Sequence, residues 1–156
     1  MILPHGYTLR PATVGDAALI ASQREAMFTD MGTEYTEAVA NFTPWVQRHL
    51  TAGTYLGWIV EAEGQPVAGA GLLVLDWPPH FSDPQPLRGY LLNVYTHPAH
   101  RGQGLARLLT EEAIAETRRR NVRILSLHAS EFGRPVYERL GFMPTNEMRL
   151  VLEGQS

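Results

Sequence analysis

The stretch Tyr95–Leu109, "YTHPAHRGQGLARLL", places a proline, two histidines, an arginine and two glycines between a strand and an amphipathic helix. A helix N-terminus presents unpaired N–H groups and the positive end of the peptide dipole, so it favours an anionic group. Gly102 and Gly104 would let this backbone approach an anion without an intervening side chain. Arg101 would add positive charge, and small Ala106 would keep the path open. The stretch alone leaves two interpretations, a pyrophosphate cradle and a simple turn with a solvated arginine.

The wider composition narrows the class of protein. We expect the 156 residues to form one domain over residues 1–156, because the length suits a single core and no linker or repeat is found. The absence of cysteine excludes disulfides, thiolate metal sites and cysteine nucleophiles. A net charge of −3 argues against broad nucleic-acid binding. No segment resembles a secretory signal or a membrane span, so we expect a cytoplasmic protein with no membrane partner.

The hydrophobic pattern predicts the element order β-α-α-β-β-β-α-β-α-β. Thr13 and Asp16 resemble a capping box that begins the first helix, and Thr43 with Pro44 predicts the start of the second. The segment 78–86 is expected to be an exposed loop. The predicted strands are Tyr7–Thr13, Thr54–Ala62, Pro66–Trp77, Gly89–Thr96, Arg123–Ala129 and, last, the alternating segment Glu147–Glu153. This order indicates an α/β (α+β) fold with a mixed, mostly antiparallel central sheet flanked by about four helices.

Two motifs at a fixed separation resemble a known family. "NVYTHPAHRGQGLARLL" is similar to the acetyl-CoA signature of the GCN5-related N-acetyltransferase (GNAT) superfamily, with Arg101, Gly104 and Ala106 at its characteristic positions. "ASEFGRPVYERLGF" resembles the same superfamily's late segment, a short helix that carries Tyr137 and is followed by Gly141 and Phe142. The order of elements also fits over nearly the whole chain. The resemblance implies an acyl-CoA N-acyltransferase-like fold.

The resemblance further implies direct transfer of an acetyl group from acetyl-CoA to an amine in a ternary complex. Tyr137 would act as general acid toward the coenzyme A sulfur, and the alternative is a core aromatic that packs beside Leu140 and Phe142. Arg101 would either contact phosphate or pin the loop. The strand Asn93–Thr96 would diverge from the strand near Ile124 and receive the pantetheine arm. The implied cofactor-binding residues are Val94, Tyr95, Thr96, Arg101, Gly102, Gln103, Gly104, Leu105, Ala106 and Ser130.

The chain also departs from the family's pattern. Ser130 stands where many relatives carry asparagine, and the strand before it has no carboxylate, so the resemblance assigns no general base. Four side chains could order a water or accept a proton: Tyr90, Asn93, Tyr95 and His128. These departures leave a non-catalytic acyl-CoA-binding or sensing domain as the alternative function. The acceptor would be a small-molecule amine or a peptide N-terminus, and a homodimer is possible.

Two histidines and a group of acidic residues each allow a functional interpretation beside a structural one. His97 and His100 form an "HPAH" pair, but no cysteine is present and no acidic ligand is near in sequence, so no metal site is expected. Acidic residues near the first helices could attract a cationic amine or could simply be solvated. They are Glu25, Asp30, Glu34 and Glu37.

Overall fold

The computed structural model describes residues 3–33 and 36–154. Its five strands are β1 Tyr7–Pro11, β2 Tyr55–Ala62, β3 Gln65–Asp76, β4 Leu87–Thr96 and β5 Leu125–Leu127. Within the described residues, the α-helices are α1 Ala17–Asp30, α2 Thr36–Ala52, α3 Leu105–Arg119 and α4 Arg134–Arg139. Short 3₁₀ turns at Val14–Asp16 and Pro98–His100 precede α1 and α3.

The strands form one open sheet in the order β1-β2-β3-β4-β5. The first four strands pair antiparallel: helices α1 and α2 connect β1 to β2, a tight turn connects β2 to β3, and a loop connects β3 to β4. Strand β5 pairs parallel to β4 after the α3 crossover. The predicted fold class, a mixed and mostly antiparallel sheet with four helices, is confirmed.

The core occupies both faces of the sheet. On one face α3 buries Leu105 and Leu109 against sheet residues such as Leu72 and Leu91. On the other face, α1 and α2 pack their apolar side chains against β2 and β3, around Tyr55. The central strand β3 is therefore covered on both faces, and its neighbour β4 lies between the same two helix layers.

Two glycines in β3 leave room for buried side chains from β2 and α1. A Cβ at Gly71 would collide with the Tyr55 hydroxyl, and one at Gly69 would collide with the Gln23 side chain. Both large side chains are buried, so neither can move aside cheaply. The two glycines thus make room for the Tyr55 hydroxyl and the Gln23 amide beneath the sheet, close to β4.

The start of α1 confirms the predicted cap. The Asp16 carboxylate accepts a hydrogen bond from the Thr13 N–H at 2.7 Å and two more from the Arg10 guanidinium, both at 2.9 Å. The Arg10 hydrogen bonds, opposed by desolvation, lower the pKa of Asp16 to about 2. The pair ties β1 to the first helix.

Two sequence predictions were wrong. Helix α2 begins at Thr36, not after Thr43, and Pro44 lies inside it. The segment Glu147–Glu153 alternates as a strand should, yet it forms no strand in the structure. A strand must pair with a sheet edge to satisfy its backbone groups, and this segment pairs with none of the described strands.

Candidate active site

The site begins where β4 separates from β5. Pairing between the two strands covers only Gly89–Leu91 and Leu125–Leu127, while β4 itself continues to Thr96. On the side facing β5, the backbone of residues 92–96 therefore has no strand partner. This confirms the divergence expected from the sequence, and it places Val94, Tyr95 and Thr96 along the open part of β4.

A β-bulge lies at the point of separation. Gly71 pairs with Leu92 but Gly69 pairs with Tyr95, so one residue of β3 stands opposite two of β4. Asn93 adopts a left-handed conformation there, with φ of 57°, and is only 4% exposed. A bulge of this kind re-aims the following backbone groups, here those that face the gap.

The Asn93 side chain holds the bulge against the helix layer. Its Oδ1 accepts a hydrogen bond from Arg24 of α1 at 2.6 Å, and its Nδ2 donates to the buried Tyr55 hydroxyl at 3.1 Å. Desolvation raises the pKa of Tyr55 to about 12, so the phenol stays neutral at physiological pH. The sequence suggested Asn93 only as a residue that orders water, and this supporting network was missed.

The glycine loop after β4 forms an open cradle. Gly102 and Gly104 have φ of 79° and 77°, and a Cβ at either would meet nothing within 4 Å. The first N–H groups of α3, including those of Leu105 and Ala106, have no acceptor within the helix. The Leu105 side chain is buried in the core and anchors this first turn. Exposed Gln103 lies between the two glycines. The loop and the first turn of α3 therefore offer backbone N–H groups of the kind that bind a pyrophosphate.

The Arg101 side chain pins this loop. Its Nε donates to the Thr96 carbonyl at 3.1 Å, and its Nη2 forms an ion pair with Asp30 at 2.7 Å. The guanidinium therefore links β4, the loop and the end of α1. These contacts correspond to the loop-pinning role expected for Arg101, and a contact with phosphate stays a prediction. The ion pair also gives Asp30 a partner within the protein, whereas Glu34 and the Glu37 side chain lie outside the described residues.

Helix α4 brings Tyr137 beside β5. The Ser130 Oγ accepts a hydrogen bond from the Gly133 N–H at 3.1 Å, which caps the turn into α4. A Cβ at Gly133 would lie 2.9 Å from the Tyr137 ring, so glycine is needed for this close approach. Tyr137 packs on the core and contacts Phe142 edge to face at 5.8 Å between ring centres. Burial raises the pKa of its hydroxyl.

The histidines are engaged within the protein. His97 Nδ1 accepts from the Ala99 N–H at 3.2 Å, and His100 Nδ1 lies 2.9 Å from the Tyr7 hydroxyl. His128 packs on Tyr90, with 5.5 Å between ring centres. In residues 3–33 and 36–154 no three His, Asp or Glu side chains converge as a metal site would require. Nor does any helix of these residues have the length and apolar character to cross a membrane.

Comparison with known proteins identifies the family and several similar structures. The acetyltransferase (GNAT) family matches residues 21–142. A GCN5-related N-acetyltransferase from Ralstonia eutropha JMP134 is 41% identical with a TM-score of 0.89, over 96% of this chain and 100% of that chain. A predicted acetyltransferase from Clostridium acetobutylicum, solved with acetyl-CoA, is 31% identical with a TM-score of 0.88, over 94% and 96%. An acetyltransferase from Trypanosoma brucei, 22% identical over 94% and 99% with a TM-score of 0.71, shares the fold. No functionally curated sequence matches the chain.

Proposed function

Because the chain belongs to the acetyltransferase (GNAT) family, we propose that it transfers an acetyl group from acetyl-CoA to a primary amine by direct attack in a ternary complex. One observation carries the proposal. The pairing of β4 with β5 ends at Leu91, and β4 runs on to Thr96 and into a glycine loop in which a Cβ on Gly102 or Gly104 would meet nothing within 4 Å. A pantetheine arm needs the unpaired backbone of such a gap, and a pyrophosphate needs the helix N-terminus beyond it.

The residues that would hold acetyl-CoA act mainly through their backbone. In the gap, the groups of Val94, Tyr95 and Thr96 would pair with the amides of the arm as a neighbouring strand would. In the cradle, the N–H groups of residues 102–106 would bind the pyrophosphate. Ser130, by capping the turn into α4, would position that helix beside the arm. Acetyl-CoA supplies the activated acyl group as a thioester.

Tyr137 would supply the proton that the leaving sulfur requires. As the amine nitrogen bonds to the acyl carbon, the carbon–sulfur bond breaks and the thiolate takes the phenolic proton. The raised pKa keeps this proton on Tyr137 at neutral pH, and the edge contact with Phe142 fixes the ring. An amine that arrives neutral loses one proton to solvent once its nitrogen has bonded to the acyl carbon, and the Tyr137 phenolate regains a proton from solvent, so this route requires no dedicated base.

Calorimetric titration with acetyl-CoA tests the cradle. We expect Gly104→Glu to abolish binding, because a carboxylate would stand where the pyrophosphate belongs. Gly64→Glu is the matched control: Gly64 has the same φ of 77° and the same open surroundings but lies in the turn between β2 and β3. Wild-type protein that binds neither acetyl-CoA nor coenzyme A would overturn the proposal, as would equal losses in the two variants.

Turnover separates the enzyme from a non-catalytic acyl-CoA sensor. Release of free coenzyme A is measured with a panel of amines that includes polyamines, amino acids, aminoglycosides and peptides with free N-termini. Acetylation of one panel member, lost in the Gly104→Glu variant and kept in Gly64→Glu, supports the transferase. Tight acetyl-CoA binding without transfer to any amine supports the sensor.

A further inference from the structure

Arg88, near the start of β4, is a half-buried cation whose side chain has no counter-charge among the described residues. Its Nε is buried and forms no hydrogen bond. The other two half-buried arginines of the described chain are both paired, Arg10 with Asp16 and Arg24 with the Asn93 amide. A buried N–H of a charged group is stabilised when an acceptor reaches it. Arg88 is therefore suited to bind an anionic group from outside the chain.

The Trp77 ring supports the Arg88 guanidinium. The guanidinium carbon lies 4.5 Å from the ring centroid, a cation–π distance, and Trp77 is 43% exposed. The register of the sheet brings the two together, because Leu75, two residues before Trp77, pairs with Arg88 across β3 and β4. An arginine over an aromatic ring keeps its N–H donors for another partner, and their planar fork matches a carboxylate.

Arg88 lies on the face of the sheet opposite to α3. Side chains alternate along a strand, so Arg88 shares a face with Tyr90, which packs with the layer of α1 and α2. Leu91 packs with the α3 layer, and so does Tyr137. Tyr90 is half-buried, and exposed His128 packs on it with 5.5 Å between ring centres. This face of β4 is therefore only partly covered between Arg88 and the end of its pairing with β5.

The position of Arg88 relative to the gap limits the length of a bound acceptor. In the proposed function, on which this inference rests, the acyl carbon would lie where β4 and β5 separate. Because α3 and α4 pack on one face there, an attacking amine would approach from the other face, beside Tyr90. Pairing ends at Leu91, three residues after Arg88, so roughly 10 Å of strand separate the two positions. Two or three extended peptide residues span about this distance.

We propose that Arg88 binds a carboxylate of the acceptor, and that the acceptor is an amino carboxylate about as long as a dipeptide or tripeptide. Its amine would reach the acyl carbon near Leu91 while its carboxylate accepts two parallel hydrogen bonds from the guanidinium over Trp77. Polyamines and aminoglycosides carry only positive charge, so Arg88 would repel them. Arg88 thus determines which amine is used, whereas the Tyr137 hydroxyl serves a step common to every acceptor.

Steady-state kinetics with matched acids and amides test this assignment. Glycine, diglycine, triglycine and lysine are each compared with the corresponding carboxamide, which removes the negative charge and little else. We expect the preferred acid to have a KM roughly 10–100-fold below that of its amide at a similar kcat, because the amide loses a charge-assisted pair. Arg88→Gln should raise the KM for the acid to that of the amide. Arg88→Lys, which keeps the charge without the fork, should restore part of the preference.

Arg120→Gln is the matched control. It removes an arginine of α3, on the other face of the sheet, which pairs with Glu116 at 3.1 Å. This variant should keep the preference for the acid. Urea midpoints and acetyl-CoA affinities should match wild type in all variants, and if Arg88→Gln does not fold, the acid–amide ratios of wild type and Arg88→Lys decide the question. Equal KM values for acid and amide in wild type, or transfer only to amines without a carboxylate, would overturn the inference and leave acetyl transfer intact.

Tryptophan fluorescence separates a failure of this inference from a failure of the proposed function. Titration with triglycine, with and without coenzyme A, should change the emission of wild type saturably, because the ligand binds over Trp77. Arg88→Gln and Trp77→Phe should not show this change, and neither should wild type titrated with triglycinamide. If no amine is acetylated but this pattern is found, the carboxylate site stands and acetyl transfer is what fails. No change with triglycine, or an equal change with the amide, would overturn the carboxylate site.

Discussion

The strongest test of the site's architecture is substitution of Asn93, the residue that holds the bulge in β4. Its amide joins α1 and β2 to β4 through hydrogen bonds to Arg24 and the Tyr55 hydroxyl. Its backbone lies in the left-handed region, with φ of 57°. Asn93→Gly removes the side chain and keeps the conformation accessible, whereas Asn93→Ala removes the side chain and also strains the backbone.

The size of each effect follows from the burial. Loss of a neutral hydrogen bond costs about 1 kcal/mol and loss of one to a charged group about 1.5–3 kcal/mol. In either variant the Arg24 guanidinium still stacks over the Phe28 and Phe42 rings, 5.0 Å from each ring centre. We therefore expect the loss of its hydrogen bond to Asn93 to cost an energy at the low end of the range for charged groups. We therefore expect Asn93→Gly to lower the free energy of unfolding by roughly 2–3 kcal/mol. Asn93→Ala should cost about 1 kcal/mol more, because alanine does not favour this φ.

Urea unfolding followed by tryptophan fluorescence measures both variants, with an unchanged slope as the sign that only stability differs. Tyr55→Phe provides the matched control, since it removes the hydroxyl that Asn93 otherwise satisfies. In Tyr55→Phe/Asn93→Gly the two losses should overlap by about 1 kcal/mol. At a temperature where all variants are folded, Asn93→Ala should also lower kcat/KM by up to about 100-fold, since small displacements at a reacting centre are costly.

Two results would refute this reasoning. Equal stabilities of the glycine and alanine variants would show that the left-handed conformation is not retained when the amide is lost. A cost below about 1 kcal/mol for either variant would show that the buried hydrogen bonds do not hold the bulge.

Three further predictions concern groups around the site and the first helix. Tyr137→Phe should lower kcat by roughly 10²–10⁴-fold in steady-state assays and leave the acetyl-CoA affinity unchanged; an unaltered kcat would assign the ring to packing alone. Arg101→Ala and Asp30→Ala should each weaken acetyl-CoA binding by calorimetry, and the double variant should bind no worse than Arg101→Ala, whereas additive losses would mean that Arg101 acts on phosphate directly. Asp16→Asn should lower the free energy of unfolding at pH 7 by no more than about 2 kcal/mol, because solvent screens the exposed part of Arg10. Urea unfolding should show this difference vanish between about pH 4 and pH 2, because the pKa of Asp16 in the folded protein, about 2, lies below the ordinary 3.8. A difference that persists in full at pH 2 would contradict the ion pair.

Local chemistry made much of the fold predictable. Helix α3 begins at Leu105, as expected, because Gly104 ends the loop in a conformation that glycine adopts freely. The residues of β2, β3 and β4 either alternate between buried and less buried positions or form continuous apolar stretches, so their hydrophobic pattern predicts strands correctly. The cap at Asp16 combines short-range contacts that a sequence displays directly. Features that depend on neighbours three or four residues away were therefore within reach.

Features set by tertiary contacts were not predictable in the same way. The sequence pattern predicts that α2 begins at Pro44, but the helix starts at Thr36, because packing of its apolar face outweighs the local cost of an internal proline. Asp83 lies in a loop expected to be exposed, yet it is buried because its carboxylate accepts the N–H groups of Gln85 and Arg123. The Arg24–Asn93–Tyr55 network joins residues up to 69 apart in the chain, and no local pattern announces it.

The family can be recognised from the sequence because backbone features carry it, whereas the acceptor cannot be identified because its recognition would depend on side chains. In the proposed function, cofactor recognition would depend on the separation of β4 from β5 and on two left-handed glycines, and these features lie within one short stretch of sequence. Acceptor recognition would depend on side chains that different elements bring together at the candidate site. Because these contributions combine only after folding, the acceptor has to be found by assay on the folded protein.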